Sequence, residues 1–90
     1  MVDTVARWGG EEFAVIVANV SEEDLRRIAE KLRAMVEASG LRTTASAQLR
    51  ATVSIGGALA VPNETAGELM RRTDEMLYAA KKSGRNCVRI

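Results

Sequence analysis

The sequence contains no histidine, one cysteine and one proline, and aromatic residues make up 3% of its 90 residues. Without histidine the chain lacks the commonest transition-metal ligand and the usual general base, which excludes zinc chemistry and both Cys–His and Ser–His–Asp catalysis. The single cysteine, Cys87, cannot form an internal disulfide. Apolar runs are too short to cross a membrane, and charged Asp3 and Arg7 stand where a signal peptide is apolar. We therefore expect a cytoplasmic protein without direct membrane contact.

Charge of neither sign dominates the chain. Thirteen Lys and Arg residues stand against twelve Asp and Glu residues, which gives a net charge of +1. A chain so nearly neutral has no overall positive field to hold nucleic acid, so we expect no nucleic-acid partner and only local anion sites. Hydrophobic residues at 47% and charged residues at 28% are typical of a globular protein. The length allows one small domain, residues 1–90, and no second one.

The first 40 residues contain two strand patterns followed by one helix pattern. Residues 3–8 and 12–18 are rich in Val, Ile, Phe and Trp and flank Gly9-Gly10, which predicts a β-hairpin. Both faces of the second strand are apolar, so this strand is expected near the middle of a sheet.

A helix follows with apolar residues at the i, i+3, i+4, i+7 spacing. It is expected to run from Glu22 to Ala38, with Ser21 as N-cap, Asp24 three residues later, and Gly40 just past the end.

The second half repeats this order. Residues 41–50 predict a short hairpin arm that leads into a strand over 51–61. Gly56-Gly57 inside that strand indicates a bulge, or a close approach by another backbone or by a ligand.

A second helix opens at Thr65, with Glu68 at the capping-box spacing, and is expected to end at Gly84 before a terminal strand over 87–90. The order ββ-α-ββ-α-β predicts an α/β (α+β) sandwich with a mainly antiparallel sheet flanked by helices.

The first candidate site is the turn formed by Gly9, Gly10, Glu11, Glu12 and Phe13. Glycines let a ligand approach the backbone closely, and adjacent carboxylates supply the oxygen ligands that Mg²⁺ prefers. Such a turn could hold a metal-bound phosphate. Alternatively, the glycines only make the turn and the glutamates face water.

The second candidate site lies at the end of the second helix. Lys81 and Arg85 are four residues apart and could together clamp phosphate oxygens. Alternatively, both cations stand there because the helix dipole favours positive charge at a C-terminus. Gly84 and Asn86 could likewise form only a C-cap.

Three ordered blocks of the sequence together resemble the GGDEF family of diguanylate cyclases. They are residues 7–13 (RWGGEEF), 52–56 (TVSIG) and 74–86 (DEMLYAAKKSGRN). The resemblance implies a fold related to nucleotidyl cyclase and polymerase palm domains. It also implies a reaction in which two GTP molecules, one on each of two facing domains, are joined into cyclic di-GMP with release of two pyrophosphates.

The resemblance also implies roles for the residues of the glycine-rich turn. Glu11 matches the metal-binding acidic position for Mg²⁺ or Mn²⁺, and Glu12 matches the invariant glutamate, with a supporting metal or substrate role. Gly9 and Gly10 match the turn that lies against the nucleotide.

Two further matches concern phosphate binding and inhibition. Lys81 and Arg85 match the basic pair that points at the GTP phosphates. Asp3 matches the aspartate of the inhibitory RxxD site, whose arginine would precede Met1.

The upstream part of the family pattern has no counterpart in these 90 residues. It comprises a strand with another metal-binding aspartate, a phenylalanine-lysine pair and the residues that read guanine. We therefore expect a C-terminal fragment of the domain that lacks its first central strand and first helices, and that is inactive alone. It is expected to associate as a homodimer or strand-swapped oligomer through the exposed sheet edge, and the parent protein is expected to have an upstream sensory domain. The alternatives are a degenerate domain that only binds a nucleotide or cyclic di-GMP, and a bare dimerisation module.

Overall fold

The computed structural model describes residues 2–7, 12–42 and 48–90. These residues form two helices and six short strands. In chain order they are β1 (Val2–Arg7), β2 (Phe13–Val17), α1 (Glu22–Ala38), β3 (Gly40–Arg42), β4 (Gln48–Arg50), β5 (Ile55–Gly56), α2 (Ala66–Lys82) and β6 (Val88–Arg89). Neither described helix has the length and apolar character that a membrane crossing requires.

Helix α1 has the bounds predicted from the sequence. The Asp24 amide donates to Ser21 Oγ at 3.1 Å, and the Ser21 amide donates to Asp24 Oδ2 at 3.3 Å, which completes a capping box. The helix ends at Ala38, and the amide of the C-cap residue Ser39 donates to the carbonyls of Met35 and Val36. Gly40 is not needed as a left-handed cap and instead begins β3.

Helix α2 also begins and ends where its caps predict. Thr65 Oγ1 accepts from the Glu68 amide at 3.1 Å. At the other end Gly84 has φ +108°, a conformation that glycine adopts at little cost. The Arg85 amide donates to the Ala80 carbonyl at 3.1 Å, which is the 6→1 hydrogen bond of a Schellman motif.

The strands differ more from expectation than the helices do. β1 and β2 pair antiparallel with Val5 opposite Val15, β3 and β4 pair antiparallel, and β5 and β6 pair parallel. Residues 41–50 thus contain parts of two paired strands where one arm was predicted, and the order becomes ββ-α-βββ-α-β. The prediction of one mainly antiparallel sheet is not confirmed, because the described strands form three separate pairs and one is parallel.

The strand predicted over 51–61 is reduced to β5, because α2 packs against this segment and binds the residues that follow it. A Cβ on Gly56 would lie 2.1 Å from the Leu77 nitrogen, so the helix backbone packs directly on this glycine. Beyond it, the Leu59 carbonyl accepts a hydrogen bond from Arg72 of α2 at 2.5 Å. That carbonyl is bonded to a side chain and not to a neighbouring strand, and the chain leaves the sheet. Of the alternatives at Gly56, the structure shows a close approach by another backbone.

An ion pair between Glu64 and Arg72 holds the segment that follows β5 against α2. Arg72 Nε lies 2.6 Å from Glu64 Oε2, and the Glu64 side chain is 5% exposed. The Val61 amide donates to Glu64 Oε1 at 3.1 Å. We call Glu64, Arg72 and the Leu59 carbonyl the loop clasp.

Apolar surface remains uncovered on β2. Val15 is 43% exposed and Ile16 is 60% exposed. The prediction that β2, apolar on both faces, lies near the middle of a sheet is therefore not confirmed in the described part of the chain, where β2 pairs with β1. Full burial of apolar residues occurs instead at the small side chains Ala29 and Ala80, one on each helix.

Candidate functional site

Two of the predicted site residues meet although 69 positions separate them. Glu12 directly precedes β2, and Lys81 lies in the last turn of α2. Lys81 Nζ lies 3.4 Å from Glu12 Oε2. The ion pair therefore places the end of the glycine-rich turn against the basic end of α2, as a shared site requires.

The exposure of this ion pair matters for what it can bind. The Lys81 side chain is 37% exposed and the Glu12 side chain is 46% exposed. An exposed pair at this distance is weak because water competes for both charges. The ammonium group remains accessible to a phosphate, and the carboxylate remains accessible to a cation.

Arg85 lies beyond the same end of α2. Its φ of +65° is left-handed, and its side chain is exposed. The backbone holds this conformation because the Arg85 amide is bonded to the Ala80 carbonyl. Two cations, Lys81 and Arg85, thus share the C-terminal end of one helix, which already carries negative dipole charge. The two cationic side chains offset that negative charge and could together bind an anion.

Of the other predicted site residues, the structure describes only Asp3. Gly9, Gly10 and Glu11 lie outside the described residues. Asp3 lies on β1 where the pairing register with β2 shifts between Val2 and Thr4.

A metal site is not complete within the described part of the chain. In that part, no three Asp, Glu, His or Cys side chains come close enough together to hold a metal ion. Glu12 alone offers one exposed carboxylate, which does not make a magnesium site.

One cluster of functional interest was missed by sequence reasoning. The Asn86 side chain donates from Nδ2 to Glu37 Oε2 at 2.6 Å and accepts from Arg33 Nη1 at 2.8 Å. The backbone amide of Asn86 donates to Ser54 Oγ at 3.2 Å. The hydrogen bond from Asn86, followed by that from Arg33, lowers the pKa of Glu37. We call Arg33, Glu37, Asn86 and Ser54 the Asn86 network.

The sequence signal for the Asn86 network was weak. Arg33 and Glu37 have the i, i+4 spacing of an ordinary exposed helix pair, and they do pair at 3.2 Å. Nothing in that spacing shows that Arg33 is only 16% exposed or that both residues contact a loop 49 to 53 positions away.

Comparisons with known proteins agree on one family. The family model described as "Diguanylate cyclase, GGDEF domain" matches residues 2–87. A crystal structure of the GGDEF domain of DgcB from Caulobacter crescentus, in complex with c-di-GMP, superposes with a TM-score of 0.88 at 38% identity. That superposition covers 94% of this chain and 49% of the solved chain.

Curated relatives are similar over nearly the whole chain. The response regulator PleD of Caulobacter vibrioides is 42% identical over 97% of this chain and 20% of its own length. Diguanylate cyclase DosC of Escherichia coli is 35% identical over 98% of this chain and 19% of its own length. The uncharacterised protein YhcK of Bacillus subtilis is 44% identical over 96% of this chain and 24% of its own length. The chain thus spans about a fifth to a quarter of these relatives.

Proposed function

The chain belongs to the GGDEF family of diguanylate cyclase domains, and we propose that it carries the phosphate-binding half of a site that joins two GTP molecules into cyclic di-GMP. The observation that carries this proposal is the contact between Glu12 and Lys81 at 3.4 Å. This contact joins Glu12, the described end of the glycine-rich turn, to the basic end of α2, and so supports a site shared by the two. Because GTP is a cytoplasmic substrate, we propose that the protein acts in the cytoplasm.

Two pairs of residues are proposed to bind the nucleotide. Gly9 and Gly10 would let the chain lie against it without side-chain hindrance. Lys81 and Arg85 would bind phosphate oxygens and stabilise the charge that develops when pyrophosphate leaves. The exposure of Arg85 and the 37% exposure of the Lys81 side chain support this role.

We assign the metal-binding role to neighbouring carboxylates. Glu11 and Glu12 would contribute oxygen ligands to Mg²⁺ or Mn²⁺, because hard cations prefer carboxylate oxygens. Such a cation supplies charge stabilisation to the phosphoryl oxygens when bound. Glu12 is available for this purpose because its described partner, Lys81, holds it by a single exposed contact.

The reaction itself is proposed only for a complete domain. The chain spans 49% of the solved GGDEF chain that it matches, and we propose residues 1–90 as the C-terminal part of such a domain. Catalytic groups that act as a unit fail together when part of the unit is missing. We therefore expect no cyclic di-GMP when the 90-residue chain alone is incubated with GTP and Mg²⁺ and the products are separated by chromatography. Product formation that Glu11→Gln abolishes would contradict this expectation.

Nucleotide binding tests the proposed site directly. Titration calorimetry with GTP and Mg²⁺ should show about tenfold weaker binding for Lys81→Ala, because a charge-assisted hydrogen bond to phosphate is lost. Lys82→Ala is the matched control: Lys82 is the next residue, but its Nζ lies 5.6 Å from the centre of the Tyr78 ring. Equal losses in both variants, or no binding to the unchanged chain, would contradict the proposal.

A second candidate function is binding of cyclic di-GMP without synthesis. The DgcB domain that this chain resembles was solved in complex with c-di-GMP. Asp3, the inhibitory-site candidate, lies on β1 at the register shift. It is far from Lys81 in the sequence. Binding of labelled cyclic di-GMP that Asp3→Ala weakens and Lys81→Ala leaves unchanged would favour this second function.

We also propose that the chain associates with a second copy of itself. The support is the exposed apolar surface of β2 at Val15 and Ile16. Packing of a second copy against β2 would bury these side chains, in a homodimer or a strand-swapped oligomer.

A further inference from the structure

Asn86 is held from three directions by residues that come from two other parts of the chain. Glu37 and Arg33, both on α1, bind the two ends of its side-chain amide at 2.6 Å and 2.8 Å. Ser54, just before β5, accepts from its backbone amide at 3.2 Å. Asn86 has φ +47°, a left-handed conformation that asparagine tolerates better than most residues. The side-chain contacts therefore add to the backbone hydrogen bonds of the neighbouring residues, Arg85 to Ala80 and Ile55 to Cys87, in holding this left-handed backbone.

Arg85 precedes Asn86 and is fixed through it. The Arg85 amide is bonded to the Ala80 carbonyl on one side, and the Asn86 network holds the peptide on the other side. Arg85 itself is left-handed, with φ +65°, and its side chain is exposed. The direction of its Cα–Cβ bond, from which the side chain extends, is thus determined at both neighbouring peptide groups.

We infer that Glu37 and Arg33 of α1 are positioning residues for nucleotide binding, because they hold Asn86 and through it the backbone of Arg85. This inference rests on the proposed function, in which Arg85 binds GTP phosphates. It extends that function to α1, a helix that contributes no side chain to the proposed phosphate contacts. A phosphate-binding arginine on a backbone held in place loses less conformational freedom on binding than one on a loose loop.

Glu30 provides a matched comparison on the same helix. Glu30 also pairs with Arg33, at 2.5 Å and 3.0 Å, and its side chain is 55% exposed against 49% for Glu37. The contact with Asn86 belongs to Glu37. Removing either glutamate therefore takes one negative charge and one Arg33 partner from the same helix surface. Removal of Glu37 also releases Nδ2 of Asn86.

The test measures two properties of the 90-residue chain and its variants Glu37→Ala, Glu37→Gln and Glu30→Ala. The first is hydrogen exchange of the Arg85 and Asn86 amides by NMR, and the second is the affinity for GTP with Mg²⁺ by calorimetry. Glu37→Ala should speed exchange at both amides and weaken GTP binding about fivefold, the value of one ordinary hydrogen bond. Glu37→Gln keeps an acceptor for Asn86 and should restore both, and Glu30→Ala should change neither.

The outcomes separate this inference from the proposed function. Unchanged GTP affinity in Glu37→Ala would overturn the positioning role even if exchange becomes faster. Equal weakening in Glu30→Ala would also overturn it, because the effect would then come from charge alone. Failure of the unchanged chain to bind GTP would overturn the proposed function, and the exchange rates would still show whether Glu37 holds the Arg85 backbone.

Discussion

At the scale of single residues, Gly56 is packed more tightly than Gly57, Gly67 or Gly84. The atoms nearest to a Cβ at this position are backbone atoms of Leu77 and Met76, at 2.1 Å to 2.7 Å. A helix backbone cannot move aside as a flexible side chain can. The contact between β5 and α2 therefore depends on the absence of a side chain here, and so does the position of α2.

Gly56→Ala should lower the free energy of unfolding by about 3 kcal/mol or more, because α2 must shift away from β5. Gly67→Ala is the control: it lies within α2, and the nearest atom to its Cβ is Thr65 Oγ1 at 4.0 Å. That substitution should stabilise the chain by about 0.5–1 kcal/mol, since alanine favours the helix. Urea unfolding of both variants measures the difference. Equal stabilities would show that α2 does not pack on Gly56 as described.

Sequence reasoning named Asn86 only as a helix cap and missed its contacts, because its partners are distant in the sequence. Asparagine next to glycine at a helix end is consistent with a local cap, and the Arg33–Glu37 spacing is consistent with a solvated helix face. Only the folded chain brings these side chains together. Glu12 and Lys81 were predicted as parts of two separate candidate sites, first from residue chemistry and then from resemblance to a family, and their proximity likewise depended on folding.

At the scale of elements, local chemistry predicted the helices and could not predict the strands. Both helices begin one residue after the hydroxyl side chain that caps them, because a cap is a contact between residues three apart. Strand extent depends instead on partners far along the chain. The pattern over 51–61 favoured a long strand, but packing of Gly56 against α2 and the loop clasp end it after two residues.

The loop clasp gives this part of the fold a pH dependence. Hydrogen bonds from Arg72, aided by the Val61 amide, lower the pKa of Glu64 below its ordinary value of 4.5. The folded chain therefore binds this proton less tightly than the unfolded chain. The clasp stabilises the fold fully above the unfolded value, and its contribution is lost as pH falls through the lowered folded value.

Glu64→Gln should accordingly destabilise the chain at about pH 7, and its effect should shrink as pH falls below the ordinary value of 4.5 and through the lowered folded pKa of Glu64. Urea unfolding across this range measures the change. Glu75→Gln is the control, since Glu75 pairs with Arg71 on the surface at 3.2 Å and exposed pairs contribute little. A pH-independent difference between Glu64→Gln and the unchanged chain would show that the clasp does not depend on the ionised carboxylate.

At the scale of the whole molecule, the exposed apolar surface of β2 predicts self-association. Ile16 is 60% exposed and Val15 is 43% exposed, on a strand whose described partner is β1. Light scattering over a concentration series should show oligomers of the unchanged chain at high micromolar concentration. Ile16→Lys should shift the chain towards monomer, because a charge on the strand surface opposes pairing.

Val61→Lys provides the control for self-association. Val61 is 53% exposed but lies outside the strands. If both lysine variants reduce association equally, net charge and not the β2 surface is responsible. A strictly monomeric unchanged chain would contradict the proposal.

The central claim is that the glycine-rich turn and the basic end of α2 form one nucleotide site. A double-mutant cycle of Glu12→Gln and Lys81→Gln, read as the affinity for GTP with Mg²⁺, tests this claim most directly. Within one site, the effects of the two substitutions should depart from additivity by more than about 0.5 kcal/mol. Effects that add within that margin, or a chain that does not bind GTP, would contradict the claim.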